Sequence, residues 1–74
     1  MKIQDLLNQS KPCWKYAAMD CDGLWYLFTD KPFLHKGGVW INNSANGRTA
    51  EVGYAFVIEP FDGDWKDSLI EREE

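Results

Sequence analysis

The stretch of the chain from Trp14 to Phe28 shows the clearest pattern of apolar and polar positions, with two alternating runs on either side of a polar turn. Alternation with a period of two is typical of β-strands, because successive side chains of a strand point to opposite faces. The turn, Asp20-Cys21-Asp22-Gly23, begins with Asp and has Gly at its fourth position, where a type I turn followed by a bulge requires a positive φ. The pattern therefore predicts a β-hairpin whose turn fixes its register.

This register decides which side chains share a face of the hairpin. A three-residue loop pairs Asp20 with Leu24, Ala18 with Tyr26 and Tyr16 with Phe28. Alternation then gives one face with Trp14, Tyr16, Ala18, Leu24, Tyr26 and Phe28, and an opposite face with Lys15, Ala17, Met19, Trp25 and Leu27. If the first face forms the core, Trp25 points away from it.

Two further patterns predict short helices towards the ends of the chain. Ile3, Leu6 and Leu7 have the i, i+3, i+4 spacing of one helical face, which predicts an N-terminal helix with one apolar edge. Towards the other end, the Asp64 side chain can cap a C-terminal helix over 65–72. Both helices are short, so they depend on docking against a sheet.

The rest of the pattern predicts more strands and places all elements in one domain. The predicted elements are a connection over 33–36, a strand over 39–41, an Asn-rich loop over 42–48, and a strand over 49–58 with Val52, Tyr54, Phe56 and Ile58 on one face. Residues 1–74 are thus expected to form a single α+β domain, a small three- to four-stranded antiparallel β-meander with short N- and C-terminal helices. Eleven aromatic residues supply its core.

The charge and the cysteines narrow the classes of partner and compartment. The chain has 12 acidic and 8 basic residues and a formal charge of −4, which disfavours binding to nucleic acid. The acidic residues concentrate in the last third of the chain. This acidic end is either a solvated surface or a patch that binds a basic partner. An extended arm of about 20 Å separates Cys13 from Cys21, so both thiols are expected to be free, as in a reducing cytosol. No apolar run has the length of a membrane span.

The residues that could perform chemistry are few. The one histidine, His35, has no obvious nucleophile beside it, and Cys21 lies between two aspartates, which disfavour a reactive thiolate. The spacing of glycines, acidic residues and cysteines matches no phosphate loop, calcium loop or zinc site. The sequence therefore predicts no enzyme, no cofactor and no metal.

The remaining candidate for a functional site is an exposed aromatic surface. Trp25 and Trp40 are candidate contact residues, because exposed tryptophan in a patch usually marks recognition. They could instead pack under a loop or a second subunit. Stacking a nucleotide on a tryptophan is a further possibility, with Lys15 and Arg48 contacting its phosphate.

Two segments carry a family resemblance. Residues 14–23, Trp-Lys-Tyr-Ala-Ala-Met-Asp-Cys-Asp-Gly, and residues 64–72, Asp-Trp-Lys-Asp-Ser-Leu-Ile-Glu-Arg, resemble short accessory proteins of tailed bacteriophages and enterobacterial prophages. Those proteins often pair such a hairpin with a closing Trp-x-Asp-Ser-Leu-x-x-Arg segment. The resemblance covers about a quarter of the chain and implies a bacterial cytoplasm. It implies no catalytic residue.

These observations lead to two hypotheses about function. The first is a non-enzymatic, phage-type interaction module that binds a host or phage protein through its aromatic sheet face or its acidic end. Because a small sheet with open edges gains stability by pairing, a homodimer is expected. The alternative is a protein that sequesters a nucleotide between tryptophan and basic side chains.

Overall fold

The computed structural model describes residues 2–43, 45–52 and 58–73. Within them the chain forms one α-helix, α1 (Ile3–Gln9), a 3₁₀ turn (Trp65–Asp67) and six strands: β1 (Tyr16–Met19), β2 (Trp25–Phe28), β3 (Pro32–His35), β4 (Val39–Asn42), β5 (Thr49–Val52) and β6 (Ile70–Glu71). Four strands form an antiparallel sheet in the order β5-β2-β1-β6, and β3 and β4 form a separate two-stranded sheet. The α+β class and the N-terminal helix are confirmed.

The first hairpin has the predicted register. Tyr16 pairs with Phe28 and Ala18 pairs with Tyr26. The backbone N–H of Asp20 donates to the carbonyl oxygen of Leu24 at 3.0 Å. Gly23 has a φ of 89°, which L-amino acids with a side chain rarely adopt. Local turn chemistry therefore determined this hairpin correctly.

A second hairpin, β3–β4, replaces the connection that was predicted over 33–36. Its loop has the same construction as the first: the Gly38 N–H donates to the His35 carbonyl oxygen at 3.2 Å, and Gly38 has a φ of 79°. The prediction was wrong because the Gly-Gly pair was taken as the start of a strand. The glycine three residues after His35 is the same signal that identified the first turn.

The two hairpin turns lie against each other. The Cys21 N–H donates to the Gly38 carbonyl oxygen at 3.0 Å, and the Trp40 N–H donates to the Asp20 carboxylate at 2.9 Å. A Cβ atom on Gly38 would lie only 2.6 Å from the Cys21 Sγ atom. Glycine at position 38 therefore provides both the positive φ and the close approach of the turns.

The main core lies on the face of the sheet that was predicted to point away from it. Helix α1 places Ile3 and Leu7 on a face formed by Ala17, Met19, Trp25, Leu27 and Val52. Trp14, which was assigned to the opposite face, also packs against this core. On the opposite face, Ala18 and Phe28 are nevertheless fully buried. Alternation sorts residues between faces, but it cannot say which face is covered when both are apolar.

The sheet is not a simple meander, and the C-terminal helix is absent from the described residues. After β2 the chain leaves the sheet to form β3–β4, and β6 returns beside β1 at the far edge. Asp64 caps as predicted, because its Oδ1 accepts from the Lys66 N–H at 3.1 Å. The capped element is only a 3₁₀ turn, because Ile70 then pairs with Ala17 in β1. Of the strand predicted over 49–58, β5 confirms the first part, and Tyr54 and Phe56 lie outside the described residues.

Ser68 joins the 3₁₀ turn to β1 through its side chain. It is fully buried, and its Oγ accepts from the Met19 N–H at 2.8 Å. The same oxygen lies 2.6 Å from the Trp65 carbonyl oxygen and 3.1 Å from the Met19 carbonyl oxygen, the possible acceptors of its proton. Because Ile70 pairs with Ala17, position 68 faces Met19 in the same register. The hydroxyl thus takes the place of a backbone partner just before β6 begins.

Arg72 joins the end of β6 to the end of α1. Its guanidinium donates to five backbone carbonyl oxygens, at 2.8–3.1 Å: those of Leu7, Asn8, Ser10, Lys11 and Trp14. The last carbonyl groups of a helix lack partners within the helix and carry partial negative charge. A single cation therefore satisfies the C-terminal end of α1 and the turn that follows it.

Candidate functional site

Trp25 was a candidate contact residue, with packing as the alternative, and its position in the structure favours packing. Its side chain is only 3 % exposed, within the core under α1, and its Nε1–H donates to the Glu59 carbonyl oxygen at 3.1 Å. It lies at the bottom of an open, mainly apolar groove of about 330 Å³. The groove is lined by Lys2, Ile3, Gln4, Trp25, Glu59, Pro60, Phe61, Asp62 and Ile70. Trp25 thus packs the core, and a large part of its ring is unavailable to a ligand.

Trp40 is half-buried and is held by polar contacts on two sides. Its Nε1–H donates to the Met19 carbonyl oxygen at 3.1 Å, while its backbone N–H donates to Asp20. Its ring meets the Trp65 ring edge to face, with centroids 6.5 Å apart and planes at 90°. These contacts attach β4 to the main sheet. The structure therefore gives Trp40 a structural position and not that of an open stacking platform.

Lys15 and Arg48 are exposed and lie at the other end of the sheet. The Lys15 N–H donates to the Phe28 carbonyl oxygen, and the Arg48 carbonyl oxygen accepts from the Thr29 N–H. Both therefore flank the end of β2, whereas Trp25 begins β2, about 13 Å away at the usual rise per strand residue. The structure does not bring the predicted basic and aromatic contacts together.

The exposed apolar surface lies instead on the second hairpin. Phe33, Leu34 and Ile41 are the large hydrophobic residues that are exposed in the described part of the chain, at 45, 44 and 36 %. We call these three residues the hairpin surface. Phe33 and Ile41 are directly opposite each other in the register, so they share one face. The sequence analysis missed Phe33 and Leu34 because it assigned 33–36 to a connection, and without that strand it had no partner for Ile41, which lay in the strand predicted over 39–41.

One edge of this hairpin is open. Because the Trp40 N–H donates to Asp20, the opposed pair Leu34 and Trp40 does not exchange backbone hydrogen bonds. The N–H and C=O groups of Leu34 therefore point away from β4. No other described strand pairs with β3 on that side. Pro32, at the start of the strand, has no N–H to offer.

The hairpin also differs in charge from the rest of the chain. Residues 31–42 contain Lys31, Lys36 and His35 but no acidic residue, in a chain of net charge −4. The nearest buried carboxylate is Asp20, which is 6 % exposed. Burial raises the pKa of Asp20, the Trp40 N–H opposes this shift, and the charge of Asp22 adds to it.

The cysteines and the metal-ligating side chains were the other groups considered for chemistry. Cys13 and Cys21 are free, as predicted, and both are exposed. Among residues 2–43, 45–52 and 58–73, no group of three or more His, Cys, Asp or Glu side chains could hold a metal ion. None of the helices in the described part of the chain has the length and apolar character to cross a membrane.

Comparison with known proteins gives no match: no protein-family model, no curated protein and no solved structure matches this chain. The resemblance to phage and prophage accessory proteins therefore stays a prediction.

Proposed function

We propose that the chain is a non-enzymatic protein-interaction module that binds its partner through the hairpin surface. The observation that supports this proposal is the concentration of Phe33, Leu34 and Ile41 on one hairpin. Single exposed apolar residues are common on protein surfaces, but Phe33 and Ile41 lie side by side on one face of the hairpin, and Leu34 is exposed on its other face. Contacts of this kind, with a large aromatic residue beside aliphatic ones, are typical of binding interfaces.

The architecture also favours this position for a binding surface. The hairpin is tied to the main sheet at its turn, through Cys21 and Gly38, and along β4 through Trp40. Its strand β3 is left with an open edge. A rigid attachment on one side and a free apolar surface on the other lower the entropy that is lost on binding.

We further propose that the partner is a phage or host protein in a bacterial cytoplasm, as the resemblance of residues 14–23 and 64–72 implies. The acidic end of the chain is the competing surface. Binding there would depend on charge and would weaken strongly with added salt.

Affinity capture from a bacterial lysate, quantified by mass spectrometry, tests the proposal. The wild-type chain is compared with the double variant Phe33→Ser, Ile41→Ser and with a control double variant, Glu51→Ser, Lys66→Ser, which changes two exposed residues elsewhere and keeps the net charge. We expect specific partners to be captured by the wild type and the control but lost by the hairpin variant. Equal capture by the hairpin variant would contradict the proposal.

A further inference from the structure

We propose that the open edge of β3 binds a second copy of this chain, with Leu34 opposite Leu34 of the partner subunit in an antiparallel, two-fold arrangement. This inference rests on the proposed function, because it uses the hairpin surface as the contact. It adds a contact between two copies of the chain through the backbone edge of β3, beside the phage or host protein that the proposed function assigns to the hairpin surface. Pairing of exposed strand edges is a common mode of protein recognition.

The backbone groups of β3 are suited to pairing with themselves. The Leu34 N–H and C=O point outwards, so two copies related by a two-fold axis exchange a pair of hydrogen bonds at this residue. Two residues further on, the Lys36 N–H faces the same side and reaches the carbonyl oxygen of Pro32 of the partner subunit. Pro32 lacks an N–H, but in this register its backbone contributes only a carbonyl oxygen that accepts a hydrogen bond.

The same groups disfavour other registers. Moving the pairing two residues towards the start of the strand places Pro32 opposite Leu34 of the partner subunit, and both bonds that need a proline N–H are lost. Moving it towards the end of the strand makes every hydrogen bond depend on Lys36, which lies in the turn at 36–38. The register centred on Leu34 is therefore the one in which β3 residues alone form the central pair of hydrogen bonds.

Side chains and charges also complement each other in this register. Phe33 lies opposite His35 of the partner subunit, on one face of the extended sheet. Because the hairpin has no acidic residue, this contact also avoids repulsion between the carboxylates of two acidic chains.

The contact is small. It covers two short strands and the side chains of Phe33 and Leu34 from each copy, well below the roughly 1,200 Å² at which stable interfaces begin. We therefore expect a weak, reversible dimer with a dissociation constant between about 1 μM and about 1 mM.

Sedimentation equilibrium over this concentration range tests the inference with two proline variants. Leu34→Pro removes the outward N–H at the centre of the contact, and proline is tolerated at edge positions whose N–H faces solvent. Glu51→Pro is the matched control, because Glu51 lies on the edge strand β5 of the main sheet. The Thr29–Arg48 bond places its N–H outwards as well. We expect the wild type and Glu51→Pro to dimerise, and Leu34→Pro to dimerise at least about tenfold more weakly.

Hydrogen exchange of the wild-type Leu34 amide provides a second measurement that needs no variant. Its exchange should slow as the protein concentration rises through the dissociation constant. A wild type that is monomeric throughout, or a dimer that Leu34→Pro leaves unchanged, would overturn the inference. Neither result affects the proposed function, which stands or falls with partner capture by the Phe33→Ser, Ile41→Ser variant.

Discussion

The C-terminal segment over 65–72 and the second hairpin over 32–42 are attached to the main sheet in opposite ways. The C-terminal segment is rich in charged residues, yet Ser68 is fully buried and Arg72 makes five hydrogen bonds to the region around the end of α1. The hairpin is rich in apolar residues, yet three of them are exposed. Hydrophobic content therefore does not indicate which segment is integral to the fold.

The difference lies in where unsatisfied backbone groups occur. The end of α1 leaves carbonyl groups without partners in the helix, and β1 extends past the start of β6 at Met19. The Arg72 guanidinium donates to the carbonyl groups at the end of α1. The Ser68 hydroxyl accepts from the Met19 N–H. The hairpin leaves its unpaired backbone groups on the open edge of β3, on the far side from the first turn, which already supplies Asp20 to the Trp40 N–H. None of the apolar side chains of β3 is needed to satisfy a backbone group of the main sheet. Substitutions in the two regions should accordingly have very different effects on stability.

The largest effect is expected for Arg72→Ala. This change leaves the carbonyl groups around the end of α1 without their shared donor, and we expect it to lower the free energy of unfolding by about 3 kcal/mol. Urea unfolding followed by circular dichroism measures the loss. Arg72→Lys should lie between the variant and the wild type, because an ammonium group keeps the charge but cannot reach all five oxygens. A loss below about 1 kcal/mol for Arg72→Ala would show that water replaces the guanidinium.

Ser68→Ala comes next, with an expected loss of about 2 kcal/mol. The variant leaves the buried Met19 N–H without an acceptor, and an unsatisfied buried donor costs about 1–3 kcal/mol. Ser68→Cys is the comparison variant, since a thiol accepts only weakly and should recover little of the stability. Urea unfolding measures both losses, and a loss below about 0.5 kcal/mol for Ser68→Ala would contradict the role of the hydroxyl.

Asp20, which ties the hairpin to the first turn, should give a small effect that depends on pH. Burial raises the pKa of Asp20, so the folded state binds its proton more tightly than the unfolded state does. Relative to Asp20→Asn, the wild type should therefore become more stable as the pH falls from about 7 towards about 4. Asn keeps an oxygen for the Trp40 N–H, so the two proteins should differ by less than about 1 kcal/mol at neutral pH. If the difference in stability between the wild type and Asp20→Asn did not change with pH, the raised pKa of Asp20 would be contradicted.

These regions also show how far sequence patterns determine this fold. The first hairpin was predicted residue by residue, because its turn uses local chemistry at Asp20 and Gly23. The second has the same signal at Gly38, and consistent use of that signal would have found β3. The position of β6 beside β1, by contrast, depends on contacts between residues more than fifty positions apart. No local pattern encodes such a contact.

The candidate site was less predictable for a related reason. Alternation separates Trp25 from Tyr26, but only the docking of α1 decides that the Trp25 face is the main core. Trp25 and Trp40 are taken up by packing, and two of the three exposed large apolar residues in the described part of the chain, Phe33 and Leu34, belong to the strand that was missed. The wrong face and the missed strand together account for the displaced site.

The smallest effect is expected for Phe33→Ser on the hairpin. Phe33 is 45 % exposed, and its main partner is Ile41 across the hairpin, a type of pair worth about 0.2–1 kcal/mol. We expect a change in the free energy of unfolding of about 0.5 kcal/mol, measured by urea unfolding at a concentration below that of dimer formation. Because Arg72→Ala should cost several times more, the two variants together test whether stability and binding are separated in this chain. A loss at position 33 as large as that at position 72 would mean that the hairpin is integral to the core, and the hairpin surface could then not be a surface reserved for a partner.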